Sequence, residues 1–204
     1  MRYSESRKDE THTRLLKIAG RSLREKGPQG VVVAEVMRAA GLTHGGFYAH
    51  FPSKDALLSE ALCGVFAQSR RKFLAAVEGL PPRHALATFI DFYVSERHRD
   101  HPASGCAITA LNSDLPRQSK RFRAAFDAGV KVLVDKMTQW IAEAGHADAE
   151  RLAASILSAM AGAVAISRAV SDRSLSDRML EAARESIKAR LGVGDAALSR
   201  SARP

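Results

Sequence analysis

Apolar residues recur at helical spacing along nearly the whole chain, and no stretch alternates as a half-buried strand would, so the pattern predicts an all-α protein. Leu15, Ile18, Ala19, Ser22 and Leu23 form one stripe over residues 8–26, closed by Gly27-Pro28. Val33, Val36, Met37 and Ala40 continue the spacing, Gly41 ends that short helix, and Thr43 is placed to cap the next. Phe47 and Phe51, four apart, point inward from the helix that follows. Two short helices joined by a turn of about three residues, braced by a longer one, make a helix-turn-helix.

The rest of the chain reads as helices with short breaks. Ser53 is placed to cap a long helix from Lys54 to about Glu78, and Leu80-Pro81-Pro82 interrupts. Further helices are expected over 84–99, 106–114, 116–144, 147–172 and 174–191, with 98–105 a solvated loop. The stretch 153–170 is small and apolar nearly all round, with Ala153, Ala154, Ser158, Ala161, Gly162, Ala165 and Ala169. A helix without a polar face has to be covered on every side; one chain could cover it, but packing of the last two helices against their copies in a homodimer is the expectation. The uncharged run from Leu152 to Ser167 is short and rich in Ala, Ser and Gly, and reads as a buried helix, so no membrane partner is expected.

On the second helix of the motif His44, Gly45, Tyr48 and His50 face outward. A helix start offers free N–H groups to an anion, a Thr hydroxyl can donate to one, and a Tyr hydroxyl on a rigid ring can reach one. The pair Gly45-Gly46 costs a helix about 1 kcal/mol per glycine, which suggests that something approaches the backbone there.

At these residues the chain resembles the TetR-type (TetR/AcrR) bacterial transcriptional regulators. The resemblance is carried by Arg14-Leu15-Leu16-Lys17-Ile18-Ala19, by Lys26-Gly27, by Ala39-Ala40-Gly41-Leu42-Thr43, and by Phe47-Tyr48-Ala49-His50-Phe51-Pro52-Ser53-Lys54-Asp55-Ala56-Leu57-Leu58. It implies a three-helix DNA-binding head over 8–62, an all-α regulatory and dimerisation body over 63–192, and a homodimer that releases a palindromic operator when a small molecule binds. Residues 193–204 are expected to be a disordered tail. Lys54, in the first turn of its helix, is an unfavourably placed cation that a phosphate would explain. Two positions depart from the family's pattern: valines stand where Ser or Thr commonly caps the motif's first helix, and Ala34 stands where some relatives carry a base-reading Arg. Ala34, Thr43, His44, Gly45, Gly46, Tyr48, His50 and Lys54 are the expected DNA-binding positions, with direct readout resting on His44 and the glycine backbone.

Charge supports a polyanion partner. The formal net charge is +9, and residues 1–54 hold ten Lys and Arg against five Asp and Glu, whereas the remaining 150 hold 21 against 17. Two cysteines cannot make a disulfide framework and the first residues lack a signal peptide's apolar core, so a cytoplasmic protein is expected.

Candidate chemistry elsewhere is sparse. His98, His101 and Cys106 match no zinc spacing, and no nucleophile with an orienting partner is visible, so neither a metal, a cofactor nor an enzyme activity is expected. Phe92, Tyr93 and Trp140 are the choices for an effector pocket. The alternative is a DNA-binding dimer with a solid body and no pocket. Cys106, after Gly105 at the start of a short helix, is either a small core residue or a sensor thiol activated by the helix dipole and nearby His98, Arg99 and His101. The Gly-Cys start also resembles the branch of the family that represses electrophile-reducing enzymes. Cys63, mid-helix, is expected to be an inert core thiol.

Overall fold

A computed structural model describes residues 2–194, with side chains from residue 7 onward. Nine α-helices run through the described residues: α1 (Arg2–Lys26), α2 (Val33–Ala39), α3 (Lys54–Ala76), α4 (Pro82–Tyr93), α5 (Glu96–Asp100), α6 (Ala107–Leu111), α7 (Lys120–Glu143), α8 (Ala149–Ala169) and α9 (Arg173–Leu191). Short 3-10 turns cover His44–Ala49, Pro102–Ser104 and Leu115–Arg117. No strand occurs among the described residues. The chain divides into two compact units, residues 1–68 with 102–129, and residues 69–101 with 130–204. The expected boundary after residue 62 falls inside α3, which runs on to Ala76.

In the first unit the stripe read from the sequence closes the core. Leu15, Ala19 and Leu23 of α1 meet Val36 and Met37 of α2, Phe47, Phe51, and Leu57, Leu62 and Val65 of α3. Ala107 and Leu111 of α6 and Phe122 of α7 belong to the same cluster. α2 stops where Gly41 adopts φ 72°, with Gly41 N–H donating to Arg38 O (2.9 Å) and Leu42 N–H to Met37 O (2.9 Å), a Schellman cap that L-residues enter only at a cost. Val32, at the N-cap of α2, supplies no side-chain bond, as its chemistry requires. Ser53 caps α3 by accepting from Ala56 N–H at 3.1 Å, and Ser119 caps α7 by accepting from Phe122 N–H at 3.1 Å while donating to Asp55 (2.6 Å). α7 therefore starts at Lys120 and not at Pro116.

The second unit holds α4, α5, α8, α9 and the ends of α3 and α7. The helix expected over 84–99 is two. Val94 (φ −91°, ψ 70°) leaves helical geometry, and Ser95 caps α5 by accepting from His98 N–H while its hydroxyl donates to Phe92 O. Residues 98 and 99 are consequently buried, contrary to the solvated loop expected there. Arg99, 3% exposed, donates from Nε to Asp100 (2.8 Å) and from Nη1 to Ser176 (2.7 Å) and Asp177 (2.6 Å), fastening α5 to α9. Arg168 of α8 donates to the carbonyls of Arg99 and His98, each at 3.0 Å. α8 is long and apolar enough to cross a membrane by length and composition. Here it packs on α9 and is tied to α5, with 39% of its most apolar stretch buried. α9 ends in a second Schellman cap at Gly192 (φ 59°), and Val193, expected to be loose, is buried. Arg83 donates to Ala144 O (3.5 Å) and to Gly192 O, placing a cation at the carboxyl ends of α7 and α9. Residues 195–204, most of the expected tail, lie outside the described residues.

Candidate nucleic-acid interface

The second element of the motif is a 3-10 helix over His44–Ala49, tighter than the α-helix expected. With three residues per turn, side chains eclipse at i and i+3, so Tyr48 stacks above Gly45 while His44 lines up with buried Phe47. Gly45 offers no side chain to cover the phenol ring, and Tyr48 is 73% exposed. Thr43 does not cap by side chain as expected. Its own carbonyl accepts from Gly46 N–H (3.1 Å) to close the first turn, and the hydroxyl is left on the exposed surface.

The platform behind this edge is a stack of aromatic rings. Phe47 and Phe51 have ring centroids 5.9 Å apart, Phe47 meets the Tyr48 ring edge-on at 5.2 Å, and His12 of α1 stacks on Phe51 at 4.6 Å. His12 Nε2 lies 3.1 Å from Glu60 Oε2, which pins the stack to α3. Sequence reasoning missed His12 because nothing in its local pattern separates it from a surface residue.

Ala34, Thr43, His44, Gly45 and Tyr48 are exposed, and Gly46, His50 and Lys54 partly so. A β-carbon at Gly45 would meet nothing within 4 Å, and one at Gly46 would make ordinary contacts with Met37 at 3.6 Å and the Thr43 hydroxyl at 4.0 Å. Neither glycine has a positive φ. The fold itself thus gives no reason for glycine at 45, and the surface there is open to close approach. His50 keeps Nδ1 buried without a hydrogen-bond partner. Its pKa is lowered by burial first, then by the neighbouring charges of His12 and Lys8, which favours the neutral ring.

The residues expected to form a pocket lie together in the second unit as a packed aromatic group. Phe73 meets Phe89 and Phe92 edge-on at 5.0 and 5.1 Å, Phe89 lies 5.8 Å from Tyr93, and Trp140 is 6.0 Å from Phe89. Tyr93 is fully buried, Phe92 is exposed, and Trp140 borders an open groove of about 410 Å³ with Leu74, Ala75, Val77, Glu78 and Lys136. Lys136 Nζ sits 5.0 Å from the centre of the Trp140 ring. His98 donates from Nδ1 to Tyr93 O (2.7 Å), and burial lowers its pKa to about 4, so it is a neutral core residue. Of the cysteines, Cys106 is 4% exposed at the N-cap of α6, whereas Cys63 is exposed, not a core thiol as expected. Cys63 follows Leu62 by one residue, a rotation of about 100° that carries it off the buried face of α3.

Comparison with known proteins places these units. Residues 15–61 match the model of bacterial regulatory proteins of the tetR family, and residues 82–185 match the C-terminal domain of LmrA/YxaF-like transcriptional regulators. No curated protein matches the chain. Among solved structures, E. coli NemR in its reduced form is similar at 19% identity and TM-score 0.76, covering 88% of this chain and 95% of that one. A TetR regulator from Chloroflexus aurantiacus is similar at 22% identity and TM-score 0.74 (90% and 96% covered), and one from Cytophaga hutchinsonii at 19% and 0.77 (90% and 96%). Such identities speak for the fold, and the two matched models speak for the family. With a helix-turn-helix head and an all-helical body each matched in place, the chain belongs to the TetR family of DNA-binding transcriptional regulators.

Proposed function

We propose that this protein is a ligand-responsive repressor that binds a palindromic operator as a homodimer. The observation that carries the reading is the exposed edge formed by Thr43, His44, Gly45 and Tyr48 on a buried aromatic platform. Thr43, Tyr48, His50 and Lys54 grip phosphates, His44 reads base edges, and the side-chain-free Gly45 lets the groove wall approach. Lys54 makes no ion pair among the described residues, which leaves its charge available.

A two-fold partner is supported by what one chain leaves uncovered. Ile166, 53% exposed, and Leu175 lie on α8 and α9 with exposed Ala154, Ser158, Ala182 and Ser186. Covering this face with a second copy gives a four-helix interface and brings two heads to successive major grooves, roughly 34–36 Å apart.

The effector has two readings. The groove beside Trp140 has the volume of a small-molecule site and supports release by a bound ligand. Cys106 at the start of α6 supports release by an electrophile instead. The alternative, a dimer with no effector pocket, is favoured by the mutual packing of Phe89, Tyr93 and Phe73. Selection of bound fragments from random duplex DNA, followed by footprinting, tests the core of the proposal. Two protected half-sites about one helical turn apart are expected, and an unstructured footprint or no enrichment would refute it.

A further inference from the structure

Tyr48 stands out from the first unit, and Phe47 is its one aromatic neighbour among the described residues, meeting it edge-on at 5.2 Å. The aim of the phenol is therefore set from behind: by Phe47, by Phe51 at 5.9 Å from Phe47, and by the His12 ring stacked on Phe51 at 4.6 Å. Phe47 and Phe51 are buried and held by the core, whereas His12 is partly exposed and closes the row from the solvent side. A partly exposed ring at the end of a row has rotamers to lose, and a hydrogen bond fixes which one it keeps.

Glu60 of α3 supplies that bond. Its Oε2 lies 3.1 Å from His12 Nε2, and its Oε1 accepts from Arg121 Nη2 at 3.5 Å, in the first turn of α7. One carboxylate is thus fixed from two helices, α1 and α7, at the opposite end of the aromatic row from Tyr48. By charge alone this residue works against the head. An anion on a DNA-binding surface repels phosphates, so removing it should tighten binding. A role in holding the row in place gives the opposite sign.

We propose that Glu60 is a positioning residue for operator binding: through His12 and the Phe51–Phe47 pair it fixes the direction of Tyr48, and it touches no DNA itself. The proposal rests on the reading of the Tyr48 edge as a DNA contact and adds the groups that hold that edge ready. A phenol already aimed loses less freedom on binding, and its phosphate contact is common to all sequences, so the gain is in affinity and not in choice of sequence.

The test measures the affinity of the full chain for an operator selected from random duplex DNA, at pH 8 and across a salt series. Glu60→Ala is expected to weaken binding about five- to tenfold. Glu60→Gln, which keeps an acceptor for His12 and drops the charge, is expected to bind as tightly as wild type or more tightly. His12→Phe keeps the stack, loses the bond, and is expected to weaken binding as Glu60→Ala does. Combining His12→Phe with Glu60→Ala should be no weaker than either alone, because both remove the same contact. The slope of log Kd against log salt stays at the wild-type value throughout, since no phosphate contact is lost. Thermal melts check that each variant is folded, and if Glu60→Ala is not, unchanged affinity in His12→Phe overturns the proposal. It is overturned equally by wild-type affinity in folded Glu60→Ala, by equal weakening in Glu60→Ala and Glu60→Gln, by additive losses in the double variant, or by a slope reduced by about one unit. Tyr48→Ala, run beside them, separates the two readings. Weakening by Tyr48→Ala without weakening by Glu60→Ala removes the positioning role alone, whereas wild-type affinity in Tyr48→Ala removes the Tyr48 contact on which it rests.

Discussion

The ring of Phe66 on α3 lies so close to Gly129 on α7 that a β-carbon at 129 would overlap three ring carbons. The ring cannot turn aside freely, because its edge meets Phe126 at 5.8 Å. One residue earlier on α3, Val65 presses against Gly20 of α1, where a β-carbon would stand 2.8 Å from Cγ2. The first unit therefore hangs on two close helix crossings at consecutive residues of α3.

Gly129→Ala is expected to destabilise by about 1–3 kcal/mol through overpacking, despite alanine's better helix propensity. Gly64→Ala, one residue from Val65 but with open space where its β-carbon would go, is expected to stabilise by about 0.5–1 kcal/mol. Thermal melts of the two variants should shift in opposite directions, and a shared direction would contradict the crossing.

Arg99→Lys is expected to cost about 3 kcal/mol, measured by urea unfolding. One guanidinium serves Asp100 from Nε and both Ser176 and Asp177 from Nη1, and an ammonium on a single carbon cannot span them. A loss below about 0.5 kcal/mol, the scale of ordinary surface substitutions, would show the network to be ornamental.

Stability should fall with acid through His98. Its folded pKa of about 4 lies below the unfolded value near 6.5, so the unfolded chain binds the extra proton first. The stabilisation is whole above pH 6.5 and is lost progressively as pH falls toward 4, by on the order of 3 kcal/mol. His98→Gln should flatten this part of the profile. Asp100, held well below the usual carboxylate range by Arg173 and Arg99, adds its own loss only at lower pH. An identical slope between pH 6.5 and 4 in both proteins would contradict the assignment.

How far the sequence carried the structure is clearest at the motif. The i, i+4 pair Phe47 and Phe51 and the stop at Gly41 follow from local chemistry, and both are where the pattern put them. The 3-10 winding of 44–49 was not legible, since inward aromatics at 47 and 51 suit either helix. The break at Val94 was hidden because the apolar spacing runs on through it, and Ser95 acts only once His98 returns to it. Burial of His98 and Arg99 depends on Ser176, Asp177 and Arg168, some 70 residues away, and the pairing of Arg24 with the 103–106 turn is equally distant. Cys63 was misjudged for a different reason. Position along α3 was read correctly, but its rotation about the helix was not.

The central claim is that the Tyr48 edge and Lys54 hold DNA, and its most direct test is affinity for the selected operator as a function of salt. Wild-type binding should weaken linearly in log Kd against log salt. Lys54→Ala should weaken binding to all sequences and reduce that slope by about one unit, Tyr48→Ala should weaken binding, and His44→Ala should change which sequence is preferred. Unchanged affinity across the salt range in all three variants would contradict the account.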